Sequence, residues 1–212
     1  DVQPNDDFGC DMNDLSDPAI DVYDNAMFII ALDYLLEMAP DSPQASRWKS
    51  LREGIERNVR AHLWDVKRQK FIPHIYPEKS PIPEGFDELA IHYHGGTAIA
   101  IEAGLLSVDE NVRLSGMPSI GLTLYPVYPD GFFHGGMSKA YLYQNGGDWT
   151  WFGGRMIQQL VVNGMVEEAY AEIHPMIERV IQNDGFYEWY GKAGVLSKAI
   201  ELLRDWAEKN KS

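Results

Sequence analysis

Two acidic residues of this chain lie in short segments that also carry glycine and large apolar or aromatic residues. Asp11 stands in Gly9-Cys-Asp-Met-Asn-Asp, and Glu188 stands in Gly185-Phe-Tyr-Glu-Trp-Tyr. The aromatic neighbours of Glu188 predict a partly desolvated carboxyl group that hydrogen bonds hold in one direction. Hydrolysis of a glycosidic bond needs two carboxyl groups that flank the bond, one to protonate the leaving oxygen and one on the other side. Asp11 and Glu188 are the candidates for such a pair.

Both assignments have structural alternatives. Glu188 can be a surface acid on a hairpin. Asp11 belongs to an acidic stretch that can be a solvated N-terminal loop or a cation site, and Asp14 is the second candidate for the acid. The stretch lacks the glycine and the glutamate that an EF-hand loop requires, so we do not predict calcium binding of that type.

The stretch Gln144–Gly154 has the composition of a sugar-binding surface. It contains four glycines, three aromatic residues and one acid. Flat rings stack on sugar rings, amide and carboxyl groups bind hydroxyls, and glycine lets the backbone approach a ligand closely. Alternation in an extended stretch would send Trp149 and Trp151 to one face. Predicted substrate-binding residues in and beside it are Gln144, Asn145, Asp148, Trp149, Trp151 and Arg155.

Structural interpretations of the same stretch stay open. It can be a glycine-rich turn with tryptophans in the core. Asp148 can cap the following helix, and Arg155 can form a structural ion pair.

An earlier segment, His92-Tyr-His-Gly-Gly, has a similar plan. We predict that His92, Tyr93 and His94 bind hydroxyl groups, as do Tyr187 and Trp189 beside Glu188. The alternative is a pair of core histidines with satisfied hydrogen bonds. Two histidines at this spacing can bind a metal, but the nearby sequence offers no third ligand, so we predict no metal site. No nucleotide-binding fingerprint or nucleophile elbow is present, and we predict no organic cofactor.

Hydrophobic periodicity predicts an all-α fold that positions these segments. A mostly apolar helix begins near Val22 and stops at Met38-Ala-Pro, and an amphipathic helix follows from about Pro43 to Leu63. A buried helix followed by an amphipathic one is the inner-then-outer alternation of concentric helical rings. The pattern continues with two similar inner helices, Gly95–Leu106 and Gly153–Val166, an outer helix, Glu167–Gln182, and a final helix, Ala193–Lys209.

The connections between helices are extended, aromatic and rich in proline, notably residues 71–77, 122–129 and 185–190. Proline keeps such segments out of a central sheet, so we expect short edge hairpins or ordered loops over a binding face. Loops that close one end of a helical bundle are the alternative.

Three segments resemble the six-hairpin glycosidases, the (α/α)6 toroids that include glucoamylase-type, trehalase-type, mannosyl-oligosaccharide glucosidase and glycogen-debranching enzymes. Residues 9–14 resemble the stretch that holds the general acid in trehalase-type and related families. Residues 148–155 resemble a segment that opens a late inner helix and lines the sugar site, and residues 185–190 resemble the late loop whose glutamate is the general base. The resemblance implies an inverting glycosidase that acts on an oligosaccharide, with Asp11 as the general acid and Glu188 as the general base. The closest motifs favour an α-linked glucoside.

A closed toroid of twelve helices needs roughly 350 residues, at about 20 residues per helix with its connections. This chain has 212 residues and about six predicted helices. We therefore expect residues 1–212 to form a single (α/α)-toroid domain that is its C-terminal half, or a toroid with further segments beyond this sequence. The alternative functions are a toroid phosphorylase or epimerase that acts on sugars, and a non-catalytic glycan-binding protein on the same fold.

Charge and cysteine content restrict the partners. The chain has 18 basic and 32 acidic residues, a formal net charge of −14. This charge argues against binding nucleic acid or an anionic membrane surface. The single cysteine, Cys10, excludes an internal disulfide but leaves open a cytoplasmic, periplasmic or secreted location. The oligomeric state does not follow from the sequence.

Overall fold

The computed structural model describes residues 19–80, 82–107, 110, 123–129 and 139–190. Asp11, Asp14 and the predicted helix Ala193–Lys209 lie outside these residues. None of the helices within them is long and apolar enough to cross a lipid bilayer. The described part is mostly helical, as the periodicity predicts, and its five α-helices are α1 (Val22–Met38), α2 (Ala45–His62), α3 (His94–Glu102), α4 (Thr150–Val162) and α5 (Val166–Gln182).

Short antiparallel strand pairs lie in the connections. Strand β1 (Trp64–Asp65) pairs with β2 (Lys70–Phe71), and β3 (His92–Tyr93) pairs with β4 (Leu124–Tyr125). Ile20 also forms an antiparallel bridge with Ile75. A 3-10 helix, Glu88–Ala90, precedes β3.

The helices pack in a row with α3 at its centre. Helix α1 contacts both α2 and α3, α3 contacts α4, and α4 contacts α5. Seven of the nine residues of α3 are buried, so α1, α3 and α4 form an inner row that α2 and α5 flank. The core of this row includes Ala26 and Ile29 of α1, Val59 of α2, Ala98 and Ile99 of α3, Met156 and Leu160 of α4, and Ala169 of α5.

Helix α1 is less buried than its sequence predicts. Tyr34 is 57% exposed and Met38 is 74% exposed, whereas Ala26 and Ile29 are fully buried. The reason is length: α3 has nine residues and α1 has seventeen, so α3 covers only about half of α1 at 1.5 Å per residue. On α2, similarly, Val59 is buried while Leu51 is 41% exposed.

The start of α4 differs from its predicted start at Gly153. The helix begins at Thr150, so Trp151 and Phe152 lie within its first turn. Gly95 and Gly96 occupy the first turn of α3, whereas Gly153 and Gly154 lie later in α4. The two Gly-Gly pairs therefore have different structural settings despite their similar sequences.

Gly95 and Gly96 allow three inner helices to approach closely at their N-terminal ends. A Cβ atom on Gly95 would lie 2.9 Å from Cε1 of Phe152 in α4, and one on Gly96 would lie 2.8 Å from Cγ1 of Val22 in α1. Both distances are shorter than normal carbon–carbon contacts, so α3 fits between its neighbours only because these side chains are absent.

We predict that Gly96→Ala destabilises the protein by about 1–3 kcal/mol, because the added methyl group overpacks the contact with Val22. Gly154→Ala is the matched control. A Cβ there has no atom within 4 Å, and alanine is the better helix former by about 1 kcal/mol. Urea denaturation of both variants measures the effect, and a Gly96→Ala variant as stable as Gly154→Ala would contradict the close-packing account.

A buried ion pair joins α5 to the segment before α4. Nη2 of Arg179 lies 2.8 Å from Oδ2 of Asp148, and the two side chains are 10% and 0% exposed. The backbone of Asp148 also exchanges two hydrogen bonds with Tyr190, at 3.0 and 2.8 Å. Asp148 therefore holds together three segments that are distant in sequence.

We expect Arg179→Met to reduce the free energy of unfolding by about 3–5 kcal/mol, because it removes the cation that binds a buried carboxylate. Arg68→Met is the control, since Arg68 pairs with Asp65 on the surface and such pairs contribute at most about 1 kcal/mol. Thermal and urea denaturation give both values. Similar losses in the two variants would mean that burial does not govern the Asp148–Arg179 pair.

Candidate functional site

A pocket of about 210 Å³ lies where the N-terminal ends of α1, α3 and α4 meet. Residues from each helix end contribute to it: Asp21 and Tyr23 from α1, Tyr93 and Gly95 from α3, Trp149 and Phe152 from α4. Pro73, Thr123 and Gln144 come from the connections. The pocket therefore combines one carboxyl group, several aromatic rings and a glycine-containing floor.

Asp21 is the acidic residue of this pocket. It is the N-cap of α1, where Oδ1 accepts a hydrogen bond from the backbone N–H of Asp24 at 2.9 Å. The residue is only 6% exposed, and this burial raises the pKa of its carboxyl group to about 6, although the hydrogen bond from Asp24 opposes the shift. Asp21 can therefore carry a proton at mildly acidic pH.

Sequence analysis did not single out Asp21, although it placed the start of this helix near Val22, where the structure has it. Asp24 lies in the first turn of α1, and Nδ2 of Asn25 donates to the carbonyl of Asp21 at 2.6 Å. The available signal was an aspartate directly before the first apolar position of a predicted helix.

The aromatic walls support one another. Trp149 directs its indole N–H to the backbone carbonyl of Tyr143 at 3.0 Å, and the two rings lie 5.0 Å apart. Phe152 contacts Trp149 on one side and the edge of Tyr23 on the other, with centroids 6.0 and 6.1 Å apart. These contacts fix the rings before any ligand binds.

Thr123 fixes the connection that carries Gln144. Its hydroxyl donates to the carbonyl of Gln144 at 2.7 Å and accepts from the backbone N–H of Gly146 at 3.1 Å. The Gln144 side chain is exposed and stands at the rim of the pocket. Gln144, Tyr93 and Trp149 are the predicted binding residues that line the pocket.

Asn145 has structural contacts instead of a place on the pocket wall. It is fully buried, and its side chain accepts from the backbone N–H of Tyr128 at 2.8 Å and donates to the carbonyl of Tyr128 at 3.0 Å. Asp148 is likewise fully buried and pairs with Arg179. The N-cap of α4 is Trp149, whose side chain makes no cap bond.

Trp151 and Arg155 also lie off the pocket. The predicted alternation fails because α4 already begins at Thr150, and residues two apart in a helix point to different faces. Trp151 is 45% exposed and packs against the Arg155 guanidinium, 5.0 Å from the ring centroid. Arg155 forms a bidentate ion pair with Glu102 of α3, with N–O distances of 2.9 and 2.5 Å, which is the structural alternative raised from the sequence.

The two histidines flank Tyr93 without lining the pocket. His94 is 5% exposed, and burial lowers its pKa to about 4, as it does for His92. Lys70 lies near both; it is buried and donates to the carbonyl of Ile91, and burial lowers its pKa to about 8. His94 therefore behaves as a neutral core residue. No cluster of three or more metal-ligating side chains occurs among the described residues.

Glu188 is exposed, in contrast to the desolvated setting predicted for it. Its loop is nevertheless tied to the start of α4. The hydroxyl of Thr150 donates to the carbonyl of exposed Tyr187 at 3.3 Å, and Trp189 contacts Tyr143 edge-on with ring centroids 5.9 Å apart. Because Tyr143 also supports Trp149, this loop is attached to the pocket wall through one intervening residue.

We predict that the stability of the protein has a pH component that Asp21→Asn abolishes. Between pH 4 and 6 the folded Asp21 keeps a proton that the unfolded chain has lost, so the free energy of unfolding falls as pH rises through this window. A shift of about two pKa units corresponds to about 2–3 kcal/mol. Urea denaturation at pH 4, 5, 6 and 7 should give wild-type and Asp21→Asn curves that diverge by this amount, and parallel curves would contradict the raised pKa.

Comparisons with known proteins do not assign this pocket to a family. No model of a known protein family matches the chain, and a search of curated proteins finds no match. The functional interpretation therefore depends on the chemistry of the pocket residues.

Proposed function

We propose that this protein is a glycoside hydrolase that cleaves an oligosaccharide at an α-linked glucoside by an inverting acid/base mechanism. The observation that carries the proposal is Asp21, a buried carboxyl group with a raised pKa in a pocket of aromatic rings. A perturbed acid in an aromatic cleft is a general mark of an active site. We further propose that the inner and outer helices belong to an (α/α)6 toroid.

The size and lining of the pocket favour a single sugar ring. Pockets for drug-sized ligands have volumes of about 300–1,000 Å³, and this one measures about 210 Å³. Tyr93 and Trp149 offer ring surfaces for stacking on the apolar face of a pyranose. Gln144 offers amide groups that can bind hydroxyls at the rim.

Asp21 suits the acid role. Its carboxyl group would donate a proton to the glycosidic oxygen, while a water attacks the anomeric carbon and gives its own proton to the base. The bond between the anomeric carbon and that oxygen breaks, and the products are an alcohol and a sugar of inverted configuration. A pKa of about 6 keeps a usable fraction of Asp21 protonated in mildly acidic solution. We assign it this role ahead of Asp11.

Glu188 remains the proposed base. Its exposure would let it contact a water at the pocket mouth, and its loop is joined to the wall through Tyr143. Inversion requires two carboxyl groups about 6.5–9.5 Å apart, so the proposal requires that separation between Asp21 and Glu188 in the sugar complex.

We expect Asp21→Asn to lower kcat for maltose or p-nitrophenyl α-D-glucopyranoside by at least about 1,000-fold, because the acid is lost. Asparagine caps helices as well as aspartate does, so α1 and sugar binding should persist. Glu37→Gln, at an exposed acid near the end of α1, is the matched control and should keep full activity. Turnover is measured by product release and sugar binding by Trp fluorescence.

Each other outcome has a distinct meaning. Unchanged kcat in Asp21→Asn would overturn the acid assignment, and Asp11→Asn then tests the other candidate. A Glu188→Gln variant with full activity would overturn the base assignment. Turnover that requires inorganic phosphate would indicate a phosphorylase, and sugar binding without turnover would indicate a glycan-binding protein.

A further inference from the structure

A buried network around Glu88 connects the pocket wall to three connecting segments. One carboxylate oxygen, Oε1 of Glu88, accepts hydrogen bonds from the hydroxyls of Tyr128 and Tyr76 at 2.6 and 2.8 Å. Nδ1 of His74 lies 2.8 Å from the same oxygen. The Glu88 side chain is only 11% exposed. Glu88, Tyr128, Tyr76 and His74 do not line the pocket. The network reaches the pocket through Tyr93, whose hydroxyl bonds to the hydroxyl of Tyr128.

We infer that Glu88 is a positioning residue for the sugar site, acting through Tyr128 to hold the ring of Tyr93 as a stacking wall. The inference rests on the proposed function, because it assigns the wall a sugar to stack on. Glu88 would touch no substrate itself, but it would set the position of Tyr93, which does.

The direction of the hydrogen bonds follows from the chemistry of the acid. Burial disfavours the Glu88 carboxylate, but the hydrogen bonds from His74, Tyr128 and Tyr76 outweigh burial and lower its pKa below the ordinary value. An ionised carboxylate only accepts, so Tyr128 must donate its single hydroxyl proton to Glu88. The oxygen of Tyr128 is then an acceptor, and the hydroxyl of Tyr93 donates to it at 3.0 Å.

These hydrogen-bond directions determine which part of Tyr93 can contact a ligand. Its hydroxyl proton is directed to Tyr128, outside the pocket lining, so its ring is the part available to the pocket. His74 contacts that ring edge-on, with centroids 5.1 Å apart, and is itself held by Glu88. Tyr93 is therefore restrained at its hydroxyl and at its ring by the same carboxylate.

The network also reaches other residues of the pocket lining. Pro73, next to His74, lines the pocket, and Ile75 exchanges backbone hydrogen bonds of 2.8 and 2.9 Å with Ile20, the residue before Asp21. A ligand in the pocket would thus contact segments that share one anchor. Holding these segments in place before binding affects how tightly the ligand binds.

The test compares two tyrosines that bind the same oxygen. Tyr128→Phe removes the acceptor of the Tyr93 hydroxyl, whereas Tyr76→Phe removes a donor to Glu88 and leaves the Tyr93–Tyr128 bond in place. We expect Tyr128→Phe to raise KM, and the Kd for maltose, about tenfold, the effect of about one lost hydrogen bond, with kcat within about twofold. Tyr76→Phe should keep both constants within about twofold.

Glu88→Met extends the test to the anchor itself, because methionine offers no acceptor oxygen to Tyr128. It should weaken maltose binding as much as Tyr128→Phe does, and the double variant should be no weaker than either single variant because both act on one chain of bonds. Urea denaturation checks that each variant is folded at the assay temperature. Equal effects of Tyr76→Phe and Tyr128→Phe, or additive effects of Glu88→Met and Tyr128→Phe, would overturn the inference.

Failure of the proposed function gives a different result. If the full chain of the wild type neither binds nor hydrolyses maltose and the chromogenic glucoside, the sugar site is overturned. Crystal structures of Tyr128→Phe and Tyr76→Phe then decide the positioning role on its own terms. A Tyr93 ring that moves only in Tyr128→Phe supports it, and a ring that stays in place in both variants overturns it.

Discussion

The close approach of α1, α3 and α4 is the constraint on which the rest of the structure depends. Helix α3 has nine residues and is buried on most sides. Its first turn can approach both neighbouring helices only because two of its residues have no side chain. Gly95 and Gly96 provide that space against Phe152 and Val22. Because the contact lies in the first turn of α3, it brings three helix N-termini to one place and creates the pocket there. Packing and site therefore have the same origin in the sequence.

The polar residues around the pocket divide into those that face it and those that hold its walls. Asn145 fixes the backbone of Tyr128, Asp148 joins α5 and Tyr190 to the start of α4, and Thr123 fixes Gln144. Loops that lack regular ladders need such side-chain contacts, since buried backbone groups must find partners. Several polar residues of the glycine-rich segment therefore hold the loop backbone in place and do not face the ligand pocket.

This division explains what the sequence could and could not predict. Periodicity located five helices within a few residues and the all-α class, because apolar spacing reports burial directly. The composition of the glycine-rich segments also selected Tyr93, Gln144 and Trp149, which line the pocket. It could not separate Trp149 from Trp151, since that depends on a helix start three residues before Gly153. Nor could it find the partner of Asp148, because Arg179 is close only in space. Asp21 was hidden for a similar reason: its burial depends on helices that follow much later.

Asp21 and Glu88 show how surroundings assign opposite tasks to two buried carboxyl groups. Burial raises the pKa of both, and the difference lies in the hydrogen bonds that oppose it. The carboxyl group of Asp21 receives a backbone N–H from Asp24, which leaves its pKa near 6. Glu88 receives two tyrosine hydroxyls and a histidine nitrogen on one oxygen, and its pKa falls below the ordinary value.

A group that holds its proton can donate it, and a group that has lost it can only accept. Asp21 is therefore suited to proton transfer. Glu88 is suited to accepting hydrogen bonds from the hydroxyl groups around it and holding them in place. Exchanging the two environments would exchange the roles, although the side chains differ by a single methylene. The protonation state of each acid therefore follows from the hydrogen-bond donors that surround it, a property that the three-dimensional arrangement determines.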